Sequence, residues 1–220
     1  MDIVFATGNR HKLSEAQQIL GPSFKLMIPS NFGFNDDIPE TGNTIKENAI
    51  QKARFVYDKF GICCFADDTG LEIDALGGAP GVYSARYAGP AKNSSDNIDK
   101  ALRELSGVPY EKRTARFHCC IALIMLKSSV NSRLSNSSLK PVVNETGIID
   151  IAPDAVLLTF DGICEGHILT TCAGADGFGY DPIFQPLGYT KTFAELTPDE
   201  KNAISHRGIA MRALAAFLQF

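Results

Sequence analysis

Carboxylates and lysines capable of phosphate chemistry gather at two places in the first third of this chain. Asp67 and Asp68 stand side by side in Phe65-Ala66-Asp67-Asp68-Thr69-Gly70, closing a short apolar strand. Two adjacent anions resist burial unless a cation compensates them. Mg2+ suits such a pair, because it takes carboxylate, water and phosphate oxygens together; the plainer alternative is an acidic turn ahead of a glycine. Glu40, in Pro39-Glu40-Thr41-Gly42-Asn43, adds a third carboxylate just before a helical stretch on which Asn48 and Lys52 share a face at i, i+4. A carboxylate at the mouth and a lysine one turn inside would suit a metal-bound polyphosphate, although Lys52 by itself reads as an ordinary charge on a solvated helix.

The second place is Thr7-Gly8-Asn9-Arg10-His11-Lys12, which follows the apolar run Ile3-Val4-Phe5-Ala6 and opens onto Leu13–Leu20. This is strand, tight turn, helix. Gly8 turns the backbone without a Cβ clash, Asn9 caps the helix, and free N–H groups at a helix start attract phosphate. Lys12 can fold back toward the same anion.

A further cluster lies near the end of the chain. Gly177-Phe178-Gly179-Tyr180-Asp181-Pro182 combines flexible glycines, a stacking face in Phe178 and an acceptor in Asp181. Its glycine spacing is not that of a dinucleotide fingerprint. Ser205-His206-Arg207 lacks the Gly-x-Ser-x-Gly elbow of a nucleophilic serine, and consecutive helical residues do not face each other. His206 and Arg207 read instead as donors to carbonyl or phosphate oxygens, or as a polar break in an amphipathic helix.

The elements that must position these residues follow from pattern and punctuation. Strand signals fall at 2–6, 24–28, 63–66, 71–75, 114–126, 154–160, 163–172 and 183–185, and helical signals at 10–20, 45–60, 94–106 and 198–218. Thr44 with Glu47, and Thr197 with Glu200, are capping boxes. Asp161-Gly162 is the expected two-residue turn of a hairpin. Successive strands after a βαβ-like start predict an α/β fold with a mixed sheet. A Ser- and Asn-rich stretch at about 128–150 reads as a polar loop inserted in one domain spanning 1–220.

Composition narrows the functions. Net charge is −4, which argues against a nucleic-acid polymer as partner but not against a free nucleotide. No apolar run approaches the length of a membrane span, and the start, with Asp2, is no signal peptide, so a cytoplasmic location is expected. The six cysteines include two adjacent pairs and no Cys-x-x-Cys spacing, and read as buried free thiols.

Taken together, these blocks resemble the Ham1/RdgB-type inosine triphosphate pyrophosphatases, the non-canonical purine nucleoside triphosphate pyrophosphatases. The resemblance runs over nearly the whole chain. It is carried by Thr7-Gly8-Asn9 with Lys12, Glu40-Thr41-Gly42 with Glu47-Asn48-Ala49 and Lys52-Ala53, and Ala66-Asp67-Asp68-Thr69-Gly70-Leu71. It continues through Gly77-Gly78-Ala79-Pro80-Gly81-Val82-Tyr83-Ser84-Ala85-Arg86, Gly177 to Pro182, Glu195-Leu196, Lys201 and Ser205-His206-Arg207. It implies an elongated two-lobed α/β fold around a long mixed twisted sheet, with the active site in the cleft between lobes, a homodimer, and Mg2+. The implied reaction is hydrolysis of ITP, dITP and XTP to the monophosphate and pyrophosphate, cleansing the nucleotide pool of deaminated purines.

By position, the resemblance gives Thr7, Gly8, Asn9, Arg10, His11 and Lys12 the triphosphate, with Lys52 helping. It gives Glu40 and Asp68 the metal, and Asp68 also the role of base toward water. Thr69 touches substrate, and Phe178, Gly179, Tyr180, Asp181, Lys201, His206 and Arg207 surround the purine. The segment 128–150 is longer than the family usually carries, and Thr69 stands where relatives often have Ser. Other readings are a pyrophosphatase for other modified nucleotides, a nucleotide-binding module without catalysis, and a phosphatase forming an aspartyl-phosphate. The last favours Asp-x-Asp over adjacent Asp67-Asp68.

Overall fold

The computed structural model describes residues 2–134 and 149–219. Its elements in order are β1 (Asp2–Phe5), α1 (Arg10–Leu20), β2 (Lys25–Met27), α2 (Ile45–Phe60), β3 (Cys64–Ile73), α3 (Ser94–Glu104) and β4 (Thr114–Leu126). They continue with α4 (Lys127–Leu134), β5 (Ile149–Ala152), β6 (Ala155–Ile168), β7 (Phe184–Pro186), α5 (Pro198–Ile204) and α6 (His206–Leu218). The seven strands form one mixed sheet in the order β2-β1-β3-β4-β6-β5, with β7 also on β6. β1 is parallel to β2 and β3, whereas β6 is antiparallel to β5 and β7. The α/β class and mixed sheet are as expected. No helix among the described residues is long and apolar enough to cross a membrane.

Four expectations are corrected. The strand carrying Asp67 and Asp68 does not end there; β3 runs from Cys64 through both acids to Ile73. Asp161-Gly162 is no hairpin turn but the interior of β6; the two-residue turn is Pro153-Asp154, between β5 and β6. The helix expected over 198–218 is two helices, because Ser205 adopts extended backbone angles (φ −69°, ψ 152°). Of the polar segment at 128–150, residues 128–134 lie in α4 and 149–150 in β5; α4 is anchored by Val130, which is buried. Residues 135–148 lie outside the described residues.

The chain divides into two compact units. The first comprises Met1–Asp68, Cys120–Asp161 and Gly208–Phe220. Its core includes Phe5 stacked on Phe65 (centroids 4.5 Å apart), Phe160 against Phe217, and the buried α2 face Ala49, Ala53 and Val56. α2 has the predicted capping box of Thr44 with Glu47 and ends on Gly61 in the left-handed region, where glycine is least strained.

The second unit comprises Thr69–Cys119 and Gly162–Arg207. Leu71, Ile73, Ile98, Leu105, Phe117, Phe184 and Phe193 pack its core. Arg113 is buried there, donating to the carbonyls of Leu105, Val108 and Leu169. All six cysteines are free; Cys64, Cys119, Cys120 and Cys164 are buried, but Cys172 is exposed and Cys63 half-buried, so the expectation of buried thiols holds for four. Burial, with Cys63 and Asp58 nearby, pushes the Cys64 thiol up to about 12, which leaves it unreactive at neutral pH.

Candidate active site

In the first unit, β3 supplies the acids and two helices supply the cations. Successive side chains leave a strand on opposite faces, so Asp67 and Asp68 need separate partners. Lys12, in the first turn of α1, gives its ammonium to Asp67 Oδ1 at 2.9 Å. Lys52, on the buried face of α2, gives its own to Asp68 Oδ1 at 2.8 Å and to Glu40 Oε1 at 2.6 Å. Asn48, one turn before Lys52, donates through Nδ2 to Asp68 Oδ2 at 3.4 Å. These partners explain why β3 continues through two buried carboxylates.

The structure therefore brings Glu40 and Asp68 together. Both oxygens touch one nitrogen, at 2.6 and 2.8 Å, and cannot be farther apart than the sum of those distances. Three carboxylates face two ammoniums, leaving one formal negative charge among these five side chains. Burial raises the Asp68 pKa above its ordinary 3.8, and Glu40 adds to the rise, while Lys52 and Lys12 oppose it. Burial alone would lower Lys52, but Asp68, Glu40 and Asp67 outweigh it and its pKa rises, keeping it charged at neutral pH. Carboxylate oxygens of this kind are the hard donors that a divalent metal ion takes. Among the described residues, no group of three or more His, Cys, Asp or Glu side chains is gathered for a metal, so any ion held here would draw its remaining oxygens from water or substrate.

The turn between β1 and α1 is built differently from expectation. Asn9 does cap α1, but its Oδ1 already accepts the His11 and Lys12 N–H groups at 2.9 and 3.3 Å. Thr7 Oγ1 accepts the Asn9 N–H at 3.1 Å. Gly8 does not have a positive φ, and a Cβ built on it meets nothing within 4 Å. Glycine is thus not demanded here by the chain's own packing. Gly8, Asn9 and Arg10 are exposed.

In the second unit, Phe178, Asp181, Lys201, His206, Arg207 and Thr69 form the other cluster. Asp181 Oδ2 accepts Lys201 Nζ and the Phe178 N–H, each at 2.8 Å. Gly177, at φ +81°, leaves room for that carboxylate; a Cβ there would collide with Asp181 Oδ2. Lys201 Nζ lies 4.8 Å and the Arg207 guanidinium 5.5 Å from the Phe178 ring centroid, within cation–π range. Arg207 is almost wholly buried and donates to Thr69 Oγ1 at 3.3 Å. The break at Ser205 starts α6 at His206, whose ring stacks on Phe117 (4.6 Å, 14°).

Two residues expected around a base have partners of their own within the second unit. Tyr180 is buried in the core and donates its hydroxyl to the Ser84 carbonyl; burial, with Tyr87 and Glu104, pushes its pKa up. Asp181 Oδ2 ties Lys201 to the Phe178 backbone. Sequence reasoning missed the Lys12–Asp67 pair, the Arg207–Thr69 bond and the Phe117 support beneath His206. Nothing local signals these contacts, which span 55, 138 and 89 residues.

With this geometry in place, comparison with known proteins settles the family. The model of the Ham1 family matches residues 3–217.

The chain belongs to the Ham1 family.

Its relatives include a dITP/XTP pyrophosphatase of Flavobacterium psychrophilum, 44% identical over 219 residues that cover all of both chains. A dITP/XTP pyrophosphatase of Christiangramia forsetii is 45% identical over 218 residues, 99% of each chain. Among solved structures, a HAM1 protein from Coxiella burnetii superposes with a TM-score of 0.79 at 40% identity, covering 100% of this chain and 98% of that one.

Proposed function

We propose that this Ham1-family chain is a nucleoside triphosphate pyrophosphatase that hydrolyses dITP, ITP and XTP to the monophosphate and pyrophosphate. The substrate class comes from the relatives named dITP/XTP pyrophosphatase. The observation that carries the chemistry is the convergence of Glu40 and Asp68 on one cationic nitrogen. Glu40 and Asp68 would hold Mg2+, which when bound offsets phosphate charge and lowers the pKa of water.

The chain's own groups do the rest. Lys52 and Lys12 neutralise the departing pyrophosphate, since phosphoryl transfer depends on alignment and charge compensation more than on covalent help. The open space over Gly8 lets a phosphate approach the β1–α1 turn, where Thr7, Asn9, Arg10 and His11 line the backbone. Asp68, its pKa raised by burial, takes the proton of the attacking water; a base works best when its pKa moves toward the working pH.

The purine is read by the second cluster. Phe178 stacks on the base, and Gly179 keeps the turn open beside it. Arg207 and His206 donate to the 6-oxo oxygen of hypoxanthine or xanthine, and Lys201 is positioned by Asp181. Adenine presents an amino group to those donors. An opposed buried pair costs about 1–3 kcal/mol, or roughly ten- to a hundredfold in preference. Thr69 fixes Arg207 and touches substrate. The working form is a cytoplasmic homodimer, a reading that rests on the resemblance and that light scattering tests for the dimer.

The direct test is a panel of nucleoside triphosphates with Mg2+, assayed for monophosphate and pyrophosphate together. dITP, ITP and XTP should give both products far faster than ATP or pyrimidine triphosphates. Preferred cleavage of a modified pyrimidine, or release of orthophosphate, contradicts the proposal. In 18O-water the label should enter the monophosphate.

A further inference from the structure

The segment that carries Glu40 is hung on α2 rung by rung. Lys52 Nζ donates to Glu40 Oε1 at 2.6 Å. Gln51 meets Thr41 with both ends of its amide: Oε1 accepts the Thr41 N–H and Nε2 donates to Thr41 Oγ1, each at 2.8 Å. Asn48 Oδ1 accepts the Gly42 N–H at 2.8 Å, and Glu47 Oε2 accepts the Asn43 N–H at 2.7 Å. Residues 40, 41, 42 and 43 are therefore met in turn by 52, 51, 48 and 47, so the segment runs antiparallel to α2. Gly42 permits this close approach, since a Cβ there would come within 2.7 Å of Glu47 Cβ and 2.9 Å of Asn48 Oδ1.

The rungs are not equivalent. Lys52 and Asn48 also touch Asp68, and Glu47 completes the helix cap, so removing any of them disturbs more than the ladder. The Gln51 amide makes two hydrogen bonds, both to Thr41, the residue next to Glu40. The Glu40 side chain is 36% exposed, so its direction depends on the backbone that bears it. A paired donor and acceptor fix both the position and the twist of Thr41, and hence the Cα–Cβ vector of its neighbour.

We propose that Gln51 is a positioning residue for the metal: by clamping Thr41 at two points it sets where Glu40 presents its carboxylate to a divalent ion shared with Asp68. This rests on the metal role given to Glu40 under the proposed function.

The test measures Mn2+ affinity of the full chain without nucleotide, from the free-ion electron paramagnetic resonance signal, alongside thermal stability and the Mg2+ concentration giving half-maximal dITP hydrolysis. Loss of two exposed hydrogen bonds in Gln51→Leu should weaken Mn2+ binding about tenfold. The half-maximal Mg2+ concentration should rise by a similar factor, with kcat at saturating Mg2+ within about twofold of wild type. Thr41→Val, which removes only the hydroxyl rung, should give about a threefold effect and serves if Gln51→Leu does not fold. A lowered melting temperature with unchanged Mn2+ affinity overturns the proposal, leaving Gln51 a loop staple. Glu40→Gln separates the levels. If it weakens Mn2+ while Gln51→Leu does not, only the clamp fails; if neither does, the metal role of Glu40 fails with it.

Discussion

Among the described residues, each unit has a cation shared by more than one carboxylate, and these two clusters differ mainly in burial. In the first, Lys52 joins Glu40 and Asp68 with only 6% of its side chain exposed. In the second, Arg116 reaches Asp74 at 2.7 Å, Glu72 at 3.4 Å and Glu165 at 3.5 Å, with 32% exposed. Both sets are rich in acid. At Arg116 water screens the charges, and Asp74 behaves as a paired surface acid: the Thr114 hydroxyl, then Arg116, hold its pKa below 3.8. At Lys52 burial removes most of that screening, so desolvation outweighs two lysines and pushes Asp68 up. The same ingredients titrate as ordinary paired surface groups where they are solvated, and with a raised carboxyl pKa where they are buried.

The sharpest way to break this contrast is Asp68→Asn. It should lower kcat for dITP by about 10²–10⁴-fold, the range of a lost general base, while circular dichroism shows an intact fold. Near-wild-type pyrophosphate release would remove Asp68 from the chemistry.

Gly8→Ala comes next. Because a Cβ there meets no protein atom, the melting temperature should stay put while kcat/KM for dITP falls about tenfold or more, as expected when a phosphate loses its close approach to the backbone. Loss of stability with unchanged kcat/KM would mean the turn serves only folding.

Titration sharpens the electrostatic side. In the metal-free protein the Asp68 carboxyl carbon, followed by NMR, should titrate above 3.8. Glu40→Gln removes a like charge and should move that midpoint down; Lys12→Met removes an opposite charge and should move it up. Because the folded pKa is raised, ionising Asp68 disfavours the folded state, and that cost grows as pH rises through the window above 3.8. Asp74 has the reverse sign: its contribution is present above 3.8 and is lost as pH falls through its lower folded value.

The smallest effect belongs to Arg116→Met. A screened surface network contributes about 0–1 kcal/mol, so stability should change little, the change should fade in high salt, and dITP turnover should not move.

Local signals carried the sequence analysis where the structure obeys them. α2 begins and ends as its capping box and Gly61 dictate, and Thr114–Leu126 is one strand lying between β3 and β6 in the sheet. The errors fell where a distant partner overrides a local rule. Asp67-Asp68 reads as a turn until Lys12 and Lys52 neutralise it within a strand, and Asp161-Gly162 reads as a hairpin although Pro153-Asp154 makes the turn. In the site, Asn48 and Lys52 were visible as an i, i+4 pair. The Gln51–Thr41 clamp and the Phe117 shelf under His206 depend on chain reversals that no short motif encodes.

The proposed function requires Glu40 and Asp68 to share a divalent ion that grips the triphosphate. It is tested most directly by anomalous diffraction from crystals grown with Mn2+ and a non-hydrolysable α,β-imido analogue of dITP. An Mn2+ peak should contact Glu40 and Asp68, directly or through its waters, with the phosphate chain at Lys12 and Lys52. A fully bound analogue whose Mn2+ touches neither carboxylate would contradict it.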